Sequence, residues 1–238
     1  MHARPVSIAW TDDKLGVSAD PDRVEEAVRA FRRLVPMTDA EWGELVETER
    51  AQAFTVANVA QADLVQEVFD ALASAVETGS TLEDFKAEVG AQLAEAWGGE
   101  NPARVETIFR TNVQRAYTTG AVEIMQRPAA KEARPYWRQD VIDDDRLCPI
   151  CGELADVVRP ADDPYWNTHI SPFHPNCRCP PPTPLTEAEA HAEGIDVEAP
   201  EAEAAPGFGS PIQGEEWEPD VSAYDPDIAA ALNRKLAA

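Results

Sequence analysis

Between residues 20 and 126, apolar side chains recur every three or four positions in four separate runs. This spacing places the side chains of a run on one face of a helix, so each run is predicted to be an amphipathic helix. The runs are Val24, Ala27, Val28, Phe31 and Leu34; Leu64, Val65, Val68, Phe69, Leu72 and Val76; Leu82, Phe85, Val89, Leu93 and Trp97; and Val105, Ile108, Phe109, Val113, Ala116, Tyr117, Gly120 and Ile124. Such stripes normally pack into a core, and we interpret them as a helical core rather than as a cofactor pocket.

Helix start and stop signals flank these runs. They are Asp20-Pro21, the capping box of Thr38 with Glu41, Gly79, the capping box of Thr81 with Asp84, Gly98-Gly99, and Asn101-Pro102. Thr38 therefore opens an additional helical stretch before a break near residues 56–58. Gly120 lies inside the last run, where glycine costs about 1 kcal/mol relative to alanine. Its presence predicts that another segment packs closely against that helix.

After Pro128 the pattern changes from helical spacing to aromatic and turn-rich sequence. Residues 136–142 and 154–159 are predicted to be short strands. Asp143, Asp144 and Asp145 lack the alternating oxygen ligands and the glycine of a calcium loop, so we interpret them as a solvated turn. The predicted fold class is α+β: a mainly helical N-terminal region, a small β-containing Cys/His module, and a flexible acidic C-terminal tail. Tyr165, Trp166 and Phe173 are expected to cover the core of the module.

The domain boundaries predicted from these changes are an N-terminal arm at 1–19, a helical region at 20–126, a Cys/His module at 127–182 packed on the last helix, and a tail at 183–238. Residues 187–220 consist mainly of Ala, Glu, Pro and Gly, which predicts a linker or a disordered tail. Residues 226–236 could form a short helix with Ile228, Leu232 and Leu236 on one side. Two interpretations of that stripe stay open, a docking peptide and a frayed end.

All four cysteines and two of the four histidines lie between residues 148 and 179. A C-x2-C pair is followed, after 22 residues, by H-x2-C-x-C, a soft ligand set that suits Zn²⁺. The candidate metal ligands are Cys148, Cys151, His174, Cys177 and Cys179. Five donors compete for the four positions of a tetrahedral site, so one of Cys177 and Cys179 is expected to ligate and the other to pack.

Two other interpretations of the cysteines remain open, namely reduced thiols packed as small apolar residues and two disulfides. The first ten residues lack the apolar core of a signal peptide, so export, and with it disulfide formation, is not expected. His169 is expected to be a loop residue, and His2 and His191 receive no role. A closed four-donor site would be structural rather than catalytic.

The net charge of −24 is distributed unevenly along the chain. Residues 1–103 carry a net charge of −12, residues 104–182 a net charge of −1, and residues 183–238 a net charge of −11. Binding to nucleic acid needs Lys and Arg to displace counterions, so any DNA contact is expected to be weak and confined to the near-neutral middle. No run approaches the length of about 18 apolar residues that a membrane span requires, so no membrane contact is predicted.

The cysteine-bearing stretch also carries a family resemblance. Its elements are Asp145-Arg146-x-Cys148-Pro149-x-Cys151, the later DDPYW of residues 162–166, and Pro172-x-His174-Pro175-Asn176-Cys177-Arg178-Cys179. Together with Arg110-Thr111-Asn112, Gly120, Pro135-Tyr136-Trp137 and the PLTEAE of residues 184–189, they resemble the Mu F-like head morphogenesis family. The resemblance is specific over about 104–189 and weaker in the helical region before it.

This resemblance implies a minor capsid protein of a tailed phage or prophage, present in the virion at the capsid interior or the portal vertex, and in the host cytoplasm during assembly. The expected partners are the portal protein and other capsid or scaffold proteins, with an influence on DNA packaging or ejection. Arg110 and Asn112 are expected either to tie the last helix to the Cys/His module or to bond locally.

An enzyme is not expected, because the sequence has no nucleophile elbow, phosphate loop or HExxH motif. The alternative function is a zinc-stabilised nucleic-acid-binding module. A metal-dependent hydrolase is a third hypothesis, and it would need an open coordination position.

Overall fold

The computed structural model describes residues 9–11, 14–16, 21–45, 53–196 and 198–212, together with residues 229, 230 and 233. Its helices are α1 (Pro21–Arg32), α2 (Asp39–Glu44), α3 (Ala62–Thr78), α4 (Leu82–Trp97), α5 (Pro102–Met125), α6 (Pro128–Ala133), α7 (Pro149–Glu153) and α8 (Glu187–Glu193). Its strands are β1 (Ala9–Thr11), β2 (Lys14–Gly16), β3 (Val35–Pro36), β4 (Ala53–Phe54), β5 (Tyr136–Arg138), β6 (Val158–Pro160) and β7 (Thr183–Leu185). The prediction of a mainly helical chain with small sheets is confirmed.

The chain divides into two compact units. The helical unit comprises residues 28–113 and 212–238, and the cysteine unit comprises residues 1–27 and 114–211. The division falls inside α1 and α5, so each of these helices contributes residues to both units.

The helices of the helical unit begin and end at capping signals that can be identified in the sequence. Thr38 and Thr81 both form complete capping boxes, with Glu41 and Asp84 respectively, as predicted. Gly79 ends α3 in the left-handed conformation, with φ of 72°. The apolar stripes form a buried aromatic core, in which the ring of Phe31 stacks on that of Phe69 with centroids 4.9 Å apart.

Elsewhere in the helical unit, β3 and β4 pair in parallel, with Val35 opposite Ala53. This short pairing was not predicted from the sequence, because two-residue strands leave no periodic signal. The paired strands contribute Val35 and Ala53 to a small apolar cluster that also contains Met37 and Leu45.

In the cysteine unit, β5 is the central strand of a three-stranded antiparallel sheet with the order β6-β5-β7. Trp137 on β5 is fully buried. It belongs to a cluster that also contains the α5 residues Val122 and Met125, and the remaining members are Val157, Ala161, Tyr165, Trp166 and Ile170. The aromatic residues near the DDPYW motif thus pack the sheet against the end of α5.

Gly120 of α5 lies where α1 crosses it. A side chain at this position would place its Cβ only 2.6 Å from the backbone nitrogen of Ala27 and 2.8 Å from the carbonyl oxygen of Arg23. The close approach inferred from glycine inside a helix is therefore confirmed, and α1 is the segment that makes it.

The structure also differs from the sequence-based expectation toward both ends of the chain. The N-terminal arm contains a two-stranded antiparallel pair, β1 with β2. Within the expected linker of 187–220, residues 187–193 form α8, and residues 201–210 hydrogen-bond to residues 170–173 of the same unit. Composition misses these elements because a capping box and backbone hydrogen bonds need few aliphatic residues.

The apolar stripe of Ile228, Leu232 and Leu236 lies outside the described residues. Among the helices that the structure describes, none combines the length and the apolarity that crossing a bilayer demands.

Candidate metal centre

The first half of the candidate site is a tight turn at the start of α7. Cys148 is the N-cap residue, and Pro149 takes the first helical position, where its missing N–H is not needed. The backbone N–H of Cys151 donates to the sulfur of Cys148 at 3.3 Å. This bond turns both sulfurs of the C-x2-C pair toward the same side.

The second half is a turn of the same length, from His174 to Cys177. The N–H of Cys177 donates to the carbonyl oxygen of His174 at 3.1 Å, and Asn176 takes the left-handed conformation with φ of 57°. The Nδ1 atom of His174 lies 2.8 Å from the carbonyl oxygen of Pro175, so its N–H donates there. That bond leaves Nε2 to face the cysteine sulfurs, an arrangement common in metal-ligating histidines.

The two turns bring their donor atoms together. Nε2 of His174 lies 3.1 Å from the sulfur of Cys148 and 3.3 Å from that of Cys151. The sulfurs of Cys151 and Cys177 are 3.9 Å apart. In a tetrahedral zinc site with Zn–S of about 2.3 Å, neighbouring donors are about 3.5–3.8 Å apart. The chemistry of the donor set fits such an ion, and the measured spacings fall on either side of these values.

All five predicted ligands lie in this cluster, but not in one equidistant group. Donor atoms of Cys148, Cys151 and His174 lie within 4.8 Å of one another, and so do those of Cys151, Cys177 and Cys179. Cys151 belongs to both groups and is therefore the centre of the cluster. All four cysteines are free thiols, so the structure contains neither of the two disulfides considered from the sequence.

The electrostatics of the cluster favour an anionic sulfur at Cys177. Its pKa lies far below the usual range of a thiol, because the neighbouring thiols of Cys151 and Cys179 donate hydrogen bonds to it. The hydrogen bond to Cys177 raises the pKa of His174 to about 9. The hydrogen bonds that Cys151 shares with Cys177 and Cys179 raise the pKa of Cys151. A site that concentrates negative charge on buried sulfur is suited to a soft cation.

Residues outside the ligand set hold the two turns in place. The guanidinium of Arg178 binds the carboxylate of Asp144 through two hydrogen bonds of 2.7 and 2.6 Å. Arg178 thereby holds the pKa of Asp144 low, at about 2. This pair joins the loop before Cys148 to the segment that carries Cys177 and Cys179, since a bidentate arginine fixes orientation as well as distance.

A second tie comes from α5. The side-chain amide of Gln114 donates to the carbonyl oxygen of Cys179. Gln114 is a buried polar residue, with 2% of its surface exposed. Neither Gln114 nor the Arg178–Asp144 pair was predicted from the sequence; a charged residue between two candidate ligands was the only available signal.

Of the two roles considered for Arg110 and Asn112, the structure shows local hydrogen bonds. The Nε atom of Arg110 donates to Glu106 at 2.6 Å, and the amide of Asn112 donates to the carbonyl oxygen of Ile108 at 2.8 Å. His169 lies outside both donor groups and stacks on Tyr165, with centroids 4.2 Å apart.

Comparison with known proteins agrees with the motif. Residues 66–180 match the family described as Phage Mu protein F like protein. The match covers the cysteine turns, most of α3, and the helices α4 and α5, so the resemblance to this family seen in the sequence is confirmed.

Two relatives carry informative names. The putative capsid assembly protein F of Escherichia phage Mu is 30% identical over 172 residues, which is 65% of this chain and 39% of that protein. The Mu-like prophage FluMu F protein of Haemophilus influenzae is 28% identical over 175 residues, 68% of this chain and 42% of that protein. The matched region thus spans about two fifths of each relative. No solved structure matches the chain significantly.

Proposed function

We propose that this protein acts in phage head assembly as a structural component, through protein contacts, and that one Zn²⁺ ion holds its cysteine unit together. The observation that carries the proposal is the convergence of two equal turns, Cys148 to Cys151 and His174 to Cys177, on one small volume. Four protein donors would leave no position for a reacting ligand. Such a centre serves architecture rather than catalysis.

We assign the fourth ligand to Cys177 rather than Cys179. Cys177 lies three residues after His174 in a hydrogen-bonded turn that mirrors the Cys148 turn. The sulfur of Cys177 lies 3.9 Å from that of Cys151, and a hydrogen bond joins Cys177 to His174.

A pair of matched variants tests the assignment. Protein purified without added metal is expected to contain about one equivalent of zinc. Cys179→Ser should keep that equivalent, and Cys177→Ser should lose it or hold it much more weakly. Substitution with Co²⁺ adds a second readout, because its sulfur-to-metal absorption scales with the number of thiolate ligands. Loss of metal from Cys179→Ser but not from Cys177→Ser would reverse the assignment, and a metal-free folded wild type would reject the centre.

The assembly role rests on the family and on the charge distribution. A relative from phage Mu is named as a capsid assembly protein. The cysteine-bearing stretch of 104–182 is near neutral, with a net charge of −1, and its acidic flanks disfavour contact with phosphate. We therefore propose the portal protein and other capsid proteins as partners. This role would place the protein in the virion, and in the host cytoplasm during assembly.

Co-purification with the portal protein tests this role. Binding should survive nuclease treatment, and it should weaken less with salt than a contact to many phosphates does. Truncation after Ile212 keeps the segment that bonds to the cysteine unit but removes the acidic end. Retained binding assigns the contact to the folded units, and lost binding assigns it to the tail. If the protein does not bind portal or procapsid but retards DNA in a gel-shift assay at physiological salt, the nucleic-acid-binding alternative is favoured.

A further inference from the structure

Residues 201–210, here called the strap, lie along the cysteine unit beside the candidate metal centre. The N–H of Ile170 donates to the carbonyl oxygen of Gly209 at 2.7 Å. The N–H of Gly209 donates to the carbonyl oxygen of Pro172 at 3.0 Å. The N–H of Ala205 donates to the carbonyl oxygen of Phe173 at 2.8 Å. The strap therefore bonds to the segment that leads directly into His174.

The strap also supplies apolar cover. Ala202 and Ala204 pack against a cluster of Cys151, Leu154, Phe173, Cys177 and Cys179. The three cysteines of this cluster are at most 3% exposed. A small unit with little apolar volume of its own depends on such added cover. Alanine suits the task, because its short side chain lets the backbone of the strap come close.

We propose that the strap is a lid over the candidate metal centre, and that its release is the step that exposes the buried thiols to chelators and thiol reagents. Side-chain contacts close its two ends. The hydroxyl of Ser210 donates to the carbonyl oxygen of Asn167 at 2.7 Å, and Nε2 of His169 lies 3.3 Å from the carbonyl oxygen of Ala202. Segments held by a few backbone hydrogen bonds open locally at a lower free energy than the whole protein.

Two glycines of the strap provide a matched test. Gly207 and Gly209 have nearly equal positive φ angles, 83° and 84°, so alanine strains the backbone to a similar degree at either position. A Cβ at 207 would meet no heavy atom within 4 Å. A Cβ at 209 would lie 2.2 Å from the carbonyl oxygen of Thr168 and 2.7 Å from the Cβ of Ala204. Gly209→Ala must therefore lift the strap, whereas Gly207→Ala need not.

The measurement is the rate at which iodoacetamide alkylates each cysteine in the full chain, read by peptide mass spectrometry. Gly209→Ala should alkylate Cys177 and Cys179 about tenfold faster than Gly207→Ala, in proportion to the added local opening. Hydrogen exchange at the Ile170 amide should accelerate in the same variant, with α3 amides unchanged. Faster exchange at Ile170 with equal alkylation in the two variants would overturn the proposal.

A milder variant covers the case in which Gly209→Ala does not fold. Ser210→Ala removes only the hydrogen bond to Asn167, and about a two- to threefold faster alkylation than wild type is expected. Unchanged alkylation despite faster exchange at Ile170 would again overturn the lid. In zinc-loaded protein, metal transfer to a chromophoric chelator should follow the same order of variants. The alkylation comparison does not require bound zinc. It therefore tests the lid, whereas the zinc content of the purified protein tests the metal centre.

Discussion

The helical unit and the cysteine unit achieve a buried core by different means. The helical unit buries aliphatic and aromatic stripes, with the Phe31 and Phe69 rings stacked at its centre, and it closes its helices with caps a few residues away. The cysteine unit buries thiols beside Leu154 and Phe173.

This difference teaches where stability comes from in each unit. A regular apolar stripe gains free energy from burial along its whole length, at about 25 cal/mol per Å² of apolar surface. The cysteine unit has short strands and short helices, so its elements cannot stand alone. Its order depends on ties between distant residues, such as Arg178 with Asp144, and on the proposed metal ion.

The largest loss of stability confined to one unit is expected from a substitution at Cys151, the residue shared by both donor groups. Cys151→Ala should abolish the proposed metal binding, which contributes on the order of 10 kcal/mol in small structural zinc domains. Hydrogen exchange should then accelerate strongly at Gln139 and Cys177, whose amides are bonded within the cysteine unit. Exchange in α3 should change far less. Equal acceleration in both places would contradict the separate origins of stability.

The next effect concerns the apolar core of the helical unit. Leu72 is fully buried on α3, and Leu72→Ala should reduce the free energy of unfolding by about 2–5 kcal/mol through lost burial and a cavity. Glu67→Ala on the exposed face of the same helix is the control, with a change expected within about 0.5 kcal/mol. Denaturant unfolding followed by circular dichroism measures both variants. A similar loss in the two would show that burial does not dominate this helix.

A third test uses two glycines inside helices. Gly120→Ala forces a Cβ against the backbone of α1 and should cost about 1–3 kcal/mol. Gly90→Ala in α4 meets no heavy atom within 4 Å and should stabilise by about 0.5–1 kcal/mol, because alanine favours the helix. Thermal unfolding of the two variants should therefore move in opposite directions. Shifts of the same sign would reject the close approach of α1.

The smallest effect concerns the capping box of α4. Thr81→Ala should cost about 1 kcal/mol at neutral pH. Hydrogen bonds from the side chain and then the backbone of Thr81 lower the pKa of Asp84 below its ordinary value of 3.8. That stabilisation is present above pH 3.8 and is lost as the pH falls through the lower pKa of the folded state. The difference between Thr81→Ala and wild type, measured by urea unfolding, should shrink toward pH 2; a constant difference would contradict the role of Asp84.

Much of the molecule could be read from local sequence. The helices α3, α4 and α5 begin and end close to their predicted signals, because caps, glycines and apolar spacing act within a few residues. The five candidate ligands were found for a similar reason, since each half of the site has its own short spacing. The match to the family also lies within this region.

Other features were decided only by the tertiary structure. The contact of Gln114 with Cys179 joins residues 65 positions apart, and the Arg178–Asp144 pair joins residues 34 positions apart. The strap has the composition of a linker, yet its backbone bonds to residues 170, 172 and 173. Composition and spacing report what a segment can do alone, whereas these contacts depend on which distant backbone groups the fold leaves without partners. The sequence alone therefore indicated the main helices and the candidate ligand set, and the fold decided how the two cysteine turns are held and covered.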